Sequence, residues 1–349
     1  MNKTQNVQNR ENAGFNADVL KLDVEQEVSR ITSEVQRQVY NILKKRGAVV
    51  GISGGVDSAV TASLLVRALG SDRVVGIHTR EEDVESESSR LARKVAGELS
   101  IDLQFEDITP VLEAAGSYAR RDEAVRNVYP GYTKECKIKL VLPEKLYTRN
   151  QMKIYKLVVQ DPDGERHTFR LDPQSLMEII AATNQKQRIR KLYEYYHAER
   201  RNYAVTGTAN RIEYDQGFFV KGGDGLADLK PLAHLYKTQI FMLAEYLELP
   251  EEILNREPST DTYSLSQSQE EFFFTLPSRE FDLLLWALNH DVPPKEVAGV
   301  LSYTSDEVEQ VYRHIETTRD TSTYLHTSSL SIEPVNEVGA ADEQPAEEG

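Results

Sequence analysis

The chain has 349 residues, 40% hydrophobic and 28% charged, enough for a sizeable core and for one large domain with additions. Its 41 Lys and Arg against 56 Asp and Glu give a formal net charge of −15, which argues against a general nucleic-acid binder with its basic face. The single cysteine, Cys136, excludes an intramolecular disulfide and a Cys-rich metal site. No apolar run is long enough to span a bilayer, and residues 1–18 lack the apolar core of a signal peptide, so a cytoplasmic location is expected.

Residues 1–20 read as an unstructured polar leader. Leu22, Val24, Val28, Ile31, Val35, Val39, Ile42 and Leu43 then recur mostly at three- and four-residue steps. They predict a helix ending near Gly47 whose apolar face packs on a sheet or against a second copy. Ala48-Val49-Val50-Gly51-Ile52 predicts a buried strand, and residues 59–69 a helix. Residues 73–78 and 103–108 predict two more short strands around a helix over 85–99. Strands and helices alternating at this length imply a parallel sheet covered on both faces, with ligands beyond the C-terminal strand ends.

The pattern breaks over 130–172. Leu140-Val141-Leu142 and Lys156-Leu157-Val158-Val159-Gln160 look extended, and Asp161-Pro162-Asp163-Gly164 is a strong turn before a returning strand. This stretch reads as an insertion carrying a β-hairpin. Its bases outnumber its acids, which suits a solvated flap or, in the sharper reading, a lid or partner surface. An Arg- and Tyr-rich helix over 184–196 follows, then a fourth strand over 203–208 and an amphipathic helix over 235–247. Residues 276–331 read as a helical C-terminal extension with Phe281, Leu284, Leu285, Trp286 and Leu288 as core candidates. Within it, Thr304 and Glu307 form a capping box. Residues 332–349 read as an acidic, unstructured tail. The main domain is thus expected over 21–275.

The chemistry centres on Gly51-Ile52-Ser53-Gly54-Gly55-Val56-Asp57-Ser58, between the first strand and its helix. Adjacent glycines admit an anion close to the backbone, and a helix N-terminus favours phosphate there. Asp57 beside phosphates calls for a divalent cation between them, so Asp57 is expected to bind Mg2+. The common ATP loop, Gly-x-x-x-x-Gly-Lys-Ser/Thr, is absent. Ser-Gly-Gly-x-Asp-Ser resembles instead the pyrophosphate loop of the N-type ATP pyrophosphatases, enzymes that release pyrophosphate from ATP and adenylate an acceptor.

Within that superfamily the chain resembles the NAD synthetases. The resemblance rests on residues 53–58, 184–190, Thr206-Gly207-Thr208 with Glu213, and Gly217-Phe218-Phe219-Val220-Lys221-Gly222-Gly223-Asp224-Gly225. It continues through residues 228–232, Leu235-Tyr236-Lys237-Thr238-Gln239, and Glu257-Pro258-Ser259 with Asp261. It implies a doubly wound parallel sheet of the adenine nucleotide alpha hydrolase type. It implies ATP binding by Gly51, Ser53, Gly54, Gly55, Val56, Asp57, Ser58, Thr208, Lys237 and Ser259. Mg2+ would be held by Asp57 and Glu213, the dinucleotide substrate by Asp224 and Lys221, and catalysis would fall to Asp57 and Lys237. The implied reaction is ATP-dependent amidation of nicotinic acid adenine dinucleotide to NAD, through an acyl-adenylate, in a homodimer. The stretch before Gly51 holds no Cys for glutamine hydrolysis, so free ammonia, or a separate glutaminase, is the expected nitrogen source.

Three departures stand against this pattern: residues 78–83 lack the Pro-containing turn usual after the second strand, the 130–172 insertion is long, and residues 262–271 replace a stretch normally richer in acids and Gly. The last two motivate an alternative, a related adenylating amidase acting on a different carboxylate. A non-catalytic nucleotide-binding subunit is opposed by the intact Asp57, Glu213 and Lys237. Thiolation of RNA is opposed by the missing cysteine pair and the acidic charge. His78, at a strand end, suits either packing or a place near adenine.

Overall fold

The computed structural model describes residues 14–83, 86–142, 155–256, 262–265, 267 and 276–333. Among these, the strands are Ala48–Gly51 (β1), Val74–Arg80 (β2), Asp102–Asp107 (β3), Lys137–Val141 (β4), Lys156–Gln160 (β5), Arg166–Arg170 (β6) and Ala204–Thr206 (β7). Four of them form a parallel sheet in the order β3-β2-β1-β7. The chain winds outward from β1 through β2 to β3, then returns to add β7 on the other side of β1. The order therefore reverses between β1 and β7, where a crevice opens beyond the strand ends.

The side chains of β1 explain why it lies at the centre. Ala48, Val50 and Ile52 enter one apolar cluster, and Val49 joins Val75, Ile77 and Val205 in another on the opposite face. This two-residue alternation needs cover on both sides. On the first face the cover comes from Val24–Gln36 (α1), Val56–Leu69 (α2), Ser86–Leu99 (α3) and, later in the chain, the helix beginning at Lys237. Val28, Ile31, Val35 and Val39 all point into that cluster, so most of the apolar face of the first helix packs on the sheet core, while Ile42 stays exposed. After α1 the chain relaxes into π geometry over Arg37–Ile42.

Thr109–Ala114 (α4) and Ser117–Val128 (α5) lead to the inserted sheet. The expected hairpin is there, β5 and β6 joined by the turn at 161–164, but β4 adds a third antiparallel strand. Ile138, Leu140, Leu157 and Val159 bury one face of it against α5 and Pro173–Glu199 (α6). The outer edge of β4 is not left open. Ile138 N donates to Ser264 Oγ at 2.9 Å, Leu265 N to Ile138 O at 3.0 Å, and the Gln267 amide to Leu140 O. Ser264, Leu265 and Gln267 are therefore tied to the insertion along the edge of β4.

α6 starts eleven residues before the helix read from its Arg/Tyr pattern. Asp172 caps it, accepting from Gln174 N and Ser175 N at 2.9 Å each, and Pro173 occupies the first position. Its 27 residues cross the second face of the sheet, where Ala198 packs on Val49 and Val205. Arg211–Asp215 (α7), Lys237–Tyr246 (α8) and Glu251–Leu254 (α9) follow β7.

The C-terminal helices are Ser278–Asn289 (α10), Pro294–Leu301 (α11) and Ser305–His326 (α12), the last with the expected Thr304–Glu307 capping box. Phe281, Leu284 and Leu285 are buried, while Trp286 stacks on His290 at 3.8 Å. Ile212 and Tyr236 share this cluster, so the extension completes the core beneath α7 and α8. The leader is shorter than expected. Phe15 and Leu20 are buried in the same cluster, and residues 17–20 form a 3-10 turn capped by Asn16. A few apolar side chains suffice to dock that otherwise polar stretch. The remaining leader, 1–13, and most of the acidic tail, 334–349, lie outside the described residues.

Candidate active site

The Gly loop runs from the end of β1 into α2 at the crevice between β1 and β7. Ser58 Oγ ties the turn, donating to Gly55 O at 2.9 Å, while Ser53 Oγ accepts from Gly55 N at 3.3 Å. Gly54 has φ +82°, and a Cβ there would come within 2.9 Å of both Leu91 Cβ and Ser88 O. Only glycine fits the turn. No side chain caps α2, whose first turn lines a cavity of 470 Å³. Its dipole and first-turn N–H groups suit an anion at that place.

Asp57 meets Lys237 and Asn210 here. Lys237 Nζ is buried against Asp57 Oδ2, and Asn210 Nδ2 donates to Asp57 Oδ1 at 3.2 Å. Asn210 also opens α7: its side chain accepts from Glu213 N at 3.0 Å, and Glu213 Oε2 accepts from Asn210 N at 3.1 Å. This capping box aims Glu213 into the cavity beside Asp57. Lys237 is held by a second cap. Asp282 of α10 accepts from Lys237 N at 3.2 Å and from Thr238 N and Oγ1 at 2.7 Å each. Asp57 and Lys237, 180 positions apart in the chain, thus converge with Glu213 because α2, α7 and α8 all present their N-terminal turns to one crevice.

Burial, and then the Asp57 carboxylate, push the Glu213 carboxyl up to about 8. Burial pushes the Lys237 ammonium down, but Asp57 and Glu213 overcome this and hold it above its ordinary range. Asp224 is held at the cavity by its own loop, its Oδ1 accepting from Val220 N at 2.7 Å. Two hard oxygen donors side by side beneath the Gly loop fit a small divalent ion that completes its shell with phosphate oxygens. Asp57 and Glu213 are the residues that would hold it.

Gly51, Ser53, Gly55, Val56, Asp57, Ser58, Thr208, Glu213, Asp224 and Lys237 all line the cavity. Gly54 sits just behind, its carbonyl accepting from Arg256 at 3.2 Å. Ser259 and Asp261 lie outside the described residues. Lys221 is placed elsewhere: its Nζ donates to Tyr324 O and Thr327 O at 2.7 and 2.8 Å, capping the end of α12 rather than facing the cavity. The cation serves a helix C-terminus, which a sequence motif cannot distinguish from a substrate contact. His78 is buried, bonded to Ile52 O at 2.8 Å and Ser89 Oγ at 2.9 Å, with its ring at the cavity wall.

Sequence reasoning missed several lining groups. Lys191 and Glu194 pair at 2.6 Å on α6, and Arg256 bridges the Gly loop to Ser88 Oγ at 2.9 Å. Tyr155 and Tyr263 close the cavity from the insertion side. Polar residues on the sheet-facing side of an otherwise amphipathic helix were the available signal for Lys191 and Glu194. For Tyr155 and Tyr263 there was none, since they meet only through the edge of β4.

A glycine turn between a parallel strand and a helix, at a sheet's switch point and faced by a buried cation and two acids, defines a nucleotide-activating α/β enzyme. The NAD synthase family profile matches residues 27–134 and 135–321, and the chain belongs to that family. It is 50% identical over 312 residues to the NH(3)-dependent NAD(+) synthetase of Mesorhizobium japonicum, covering 89% of this chain and 98% of the relative. Against the NH(3)-dependent NAD(+) synthetase of Thermotoga maritima it is 36% identical over 280 residues, 78% of this chain and 91% of the relative. Among solved structures, the NH3-dependent NAD synthetase of Campylobacter jejuni shares the fold with a TM-score of 0.58 at 18% identity, over 89% of this chain and 100% of that one. An NMN synthetase from Francisella tularensis does so with a TM-score of 0.59 at 21% identity, over 89% and 99%.

Proposed function

We propose that this protein makes NAD by ATP-dependent amidation of nicotinic acid adenine dinucleotide with ammonia, releasing AMP and pyrophosphate. The observation that carries the reading is the buried Lys237–Asp57 pair, with Glu213 beside it, at the mouth of the Gly loop. In the first step the substrate carboxylate attacks the α-phosphorus of ATP, and the P–O bond to pyrophosphate breaks. In the second, ammonia attacks the acyl carbon of the adenylate, loses a proton, and AMP departs. Neither step needs a nucleophile from the protein.

The chain's part is positioning and charge. N–H groups of the loop and of the first turn of α2 cradle the phosphates, and Lys237 stabilises charge developing at the α-phosphate. Asp57 and Glu213 would hold Mg2+, which would supply Lewis-acid neutralisation of the triphosphate and the leaving pyrophosphate. Asp224 and Thr208 contact the bound nucleotides. We further read the protein as a cytoplasmic homodimer using free ammonia rather than a glutaminase partner; its one cysteine is buried and unpaired, in keeping with a reducing compartment.

The alternative acyl substrate rested on the 130–172 insertion and the 262–271 stretch, and Ser264, Leu265 and Gln267 of that stretch are engaged in packing along β4 of the insertion. The deciding experiment assays NAD formation from the dinucleotide, ATP, Mg2+ and ammonia, with glutamine as the comparison nitrogen source. NAD formed with ammonia supports the reading. AMP release driven by another acid, with no NAD from the dinucleotide, would sink it.

A further inference from the structure

Glu213 is carried by a helix too short to keep its own place. α7 has five residues, well under the length at which a helix is stable by itself. Its position is set by what grips its ends. Asn210 caps the first end. The second end is gripped by α12. Arg319 Nε and Nη2 donate to the two oxygens of Asp215 at 2.8 and 2.6 Å, and Nη2 also donates to Asn289 Oδ1 at 2.6 Å, at the end of α10.

The contact continues past Asp215. Gly217 has φ +66° and lies so close to α12 that a Cβ would sit 2.4 Å from Ser322 Cβ. The ring of His326 packs edge-on to Tyr214 at 4.6 Å and Phe219 at 5.2 Å, and Phe219 lines the cavity. The Lys221 ammonium then closes the run on the last carbonyls of α12.

We infer that Arg319, on the C-terminal extension, is a positioning residue for Glu213: its fork on Asp215 fixes where α7 presents that carboxylate to the cation beside Asp57. The inference rests on the reading of Glu213 as a cation-binding group. A partly exposed ion pair adds little to stability, so the consequence of this one lies in geometry. A bidentate Arg–carboxylate pair fixes orientation as well as distance. Groups bonded directly to a metal ligand, as Asn210 is to Glu213, typically change metal affinity or activity by about 10–100-fold, and Arg319, acting through Asp215 and the short helix, is expected at the lower end of that range.

Calorimetric titration of the full chain with ATP, once with Mg2+ and once with EDTA, separates this from general destabilisation. No acyl acceptor is present, so binding is read without turnover. Wild type should bind ATP more tightly with Mg2+. Arg319→Ala should lose about tenfold of that magnesium-dependent gain while keeping metal-free ATP affinity. Arg319→Lys, with the charge but not the fork, should recover part of it. An Arg319→Ala protein with the wild-type magnesium gain, or with both affinities reduced equally, would overturn the inference. Should that variant not fold, Asp215→Asn decides by the same ratio. A wild type without any magnesium gain would overturn the reading of Glu213 itself, and the inference with it.

Discussion

Lys186 is the best place to test how the insertion is tied to the sheet. Its buried ammonium donates to Glu81 Oε1 at 3.2 Å, to Asp83 Oδ2, and to Thr262 O at 3.2 Å. Arg121 of α5 reaches the same Asp83 oxygen at 2.7 Å, and Tyr118 OH donates to Glu81 Oε2 at 2.7 Å. One side chain thus joins α6 to the end of β2, to α5 and to the stretch stapled on β4. Lys186→Met keeps the length and removes the charge. Breaking a buried ion pair by removing one partner costs about 3–5 kcal/mol, because the acids left behind stay buried.

With an unfolding entropy of about 0.7 kcal/mol/K for a chain of this length, that loss lowers Tm by about 4–7 °C. The pH dependence gives a second signature. Burial pushes the Asp83 carboxyl up, but Lys186 and Arg121 together overcome it and hold it below the ordinary carboxylate range. A depressed carboxylate stabilises the fold above its unfolded pKa, and that contribution is lost as pH falls through the folded value. Without Lys186 only Arg121 opposes the burial, so Asp83 takes its proton at a higher pH than in the wild type and the variant's penalty shrinks as pH falls. Urea denaturation between pH 7 and pH 4 should therefore show a gap of several kcal/mol that narrows on acidification. A loss below about 1 kcal/mol, constant with pH, would refute the reasoning.

Gly54→Ala forces a side chain into a left-handed turn against Leu91 and Ser88 O, and should cost about 1–3 kcal/mol and weaken ATP binding; unchanged ATP affinity by calorimetry would show the turn has slack. Lys237→Met should lower kcat by at least about a hundredfold, with ATP affinity less affected, as steady-state kinetics would reveal. Asp282→Ala leaves three donors at the start of α8 without their acceptor, and should cost about 1–3 kcal/mol in urea denaturation together with a fall in kcat through Lys237. Normal kcat in a destabilised protein would confine Asp282 to stability.

The sequence by itself determined the parts whose signals are local. Apolar runs of strand length, glycines at a turn and capping residues depend on near neighbours, so β1, the Gly loop, α2 and the Thr304 box were legible. Motif order was enough to assemble Asp57, Glu213 and Lys237 before any geometry was available. Tertiary structure decided what depends on partners distant in the chain. Lys221 carries a substrate motif's charge, yet α12 claims it with two carbonyls. Residues 262–271 read only as a departure from the family pattern, but Ser264, Leu265 and Gln267 within them find partners on β4, more than a hundred residues earlier. Arg319 has no sequence signal at all. Its weight comes from meeting Asp215, and hydrogen-bond partners brought together by packing leave no pattern at any fixed spacing along the chain.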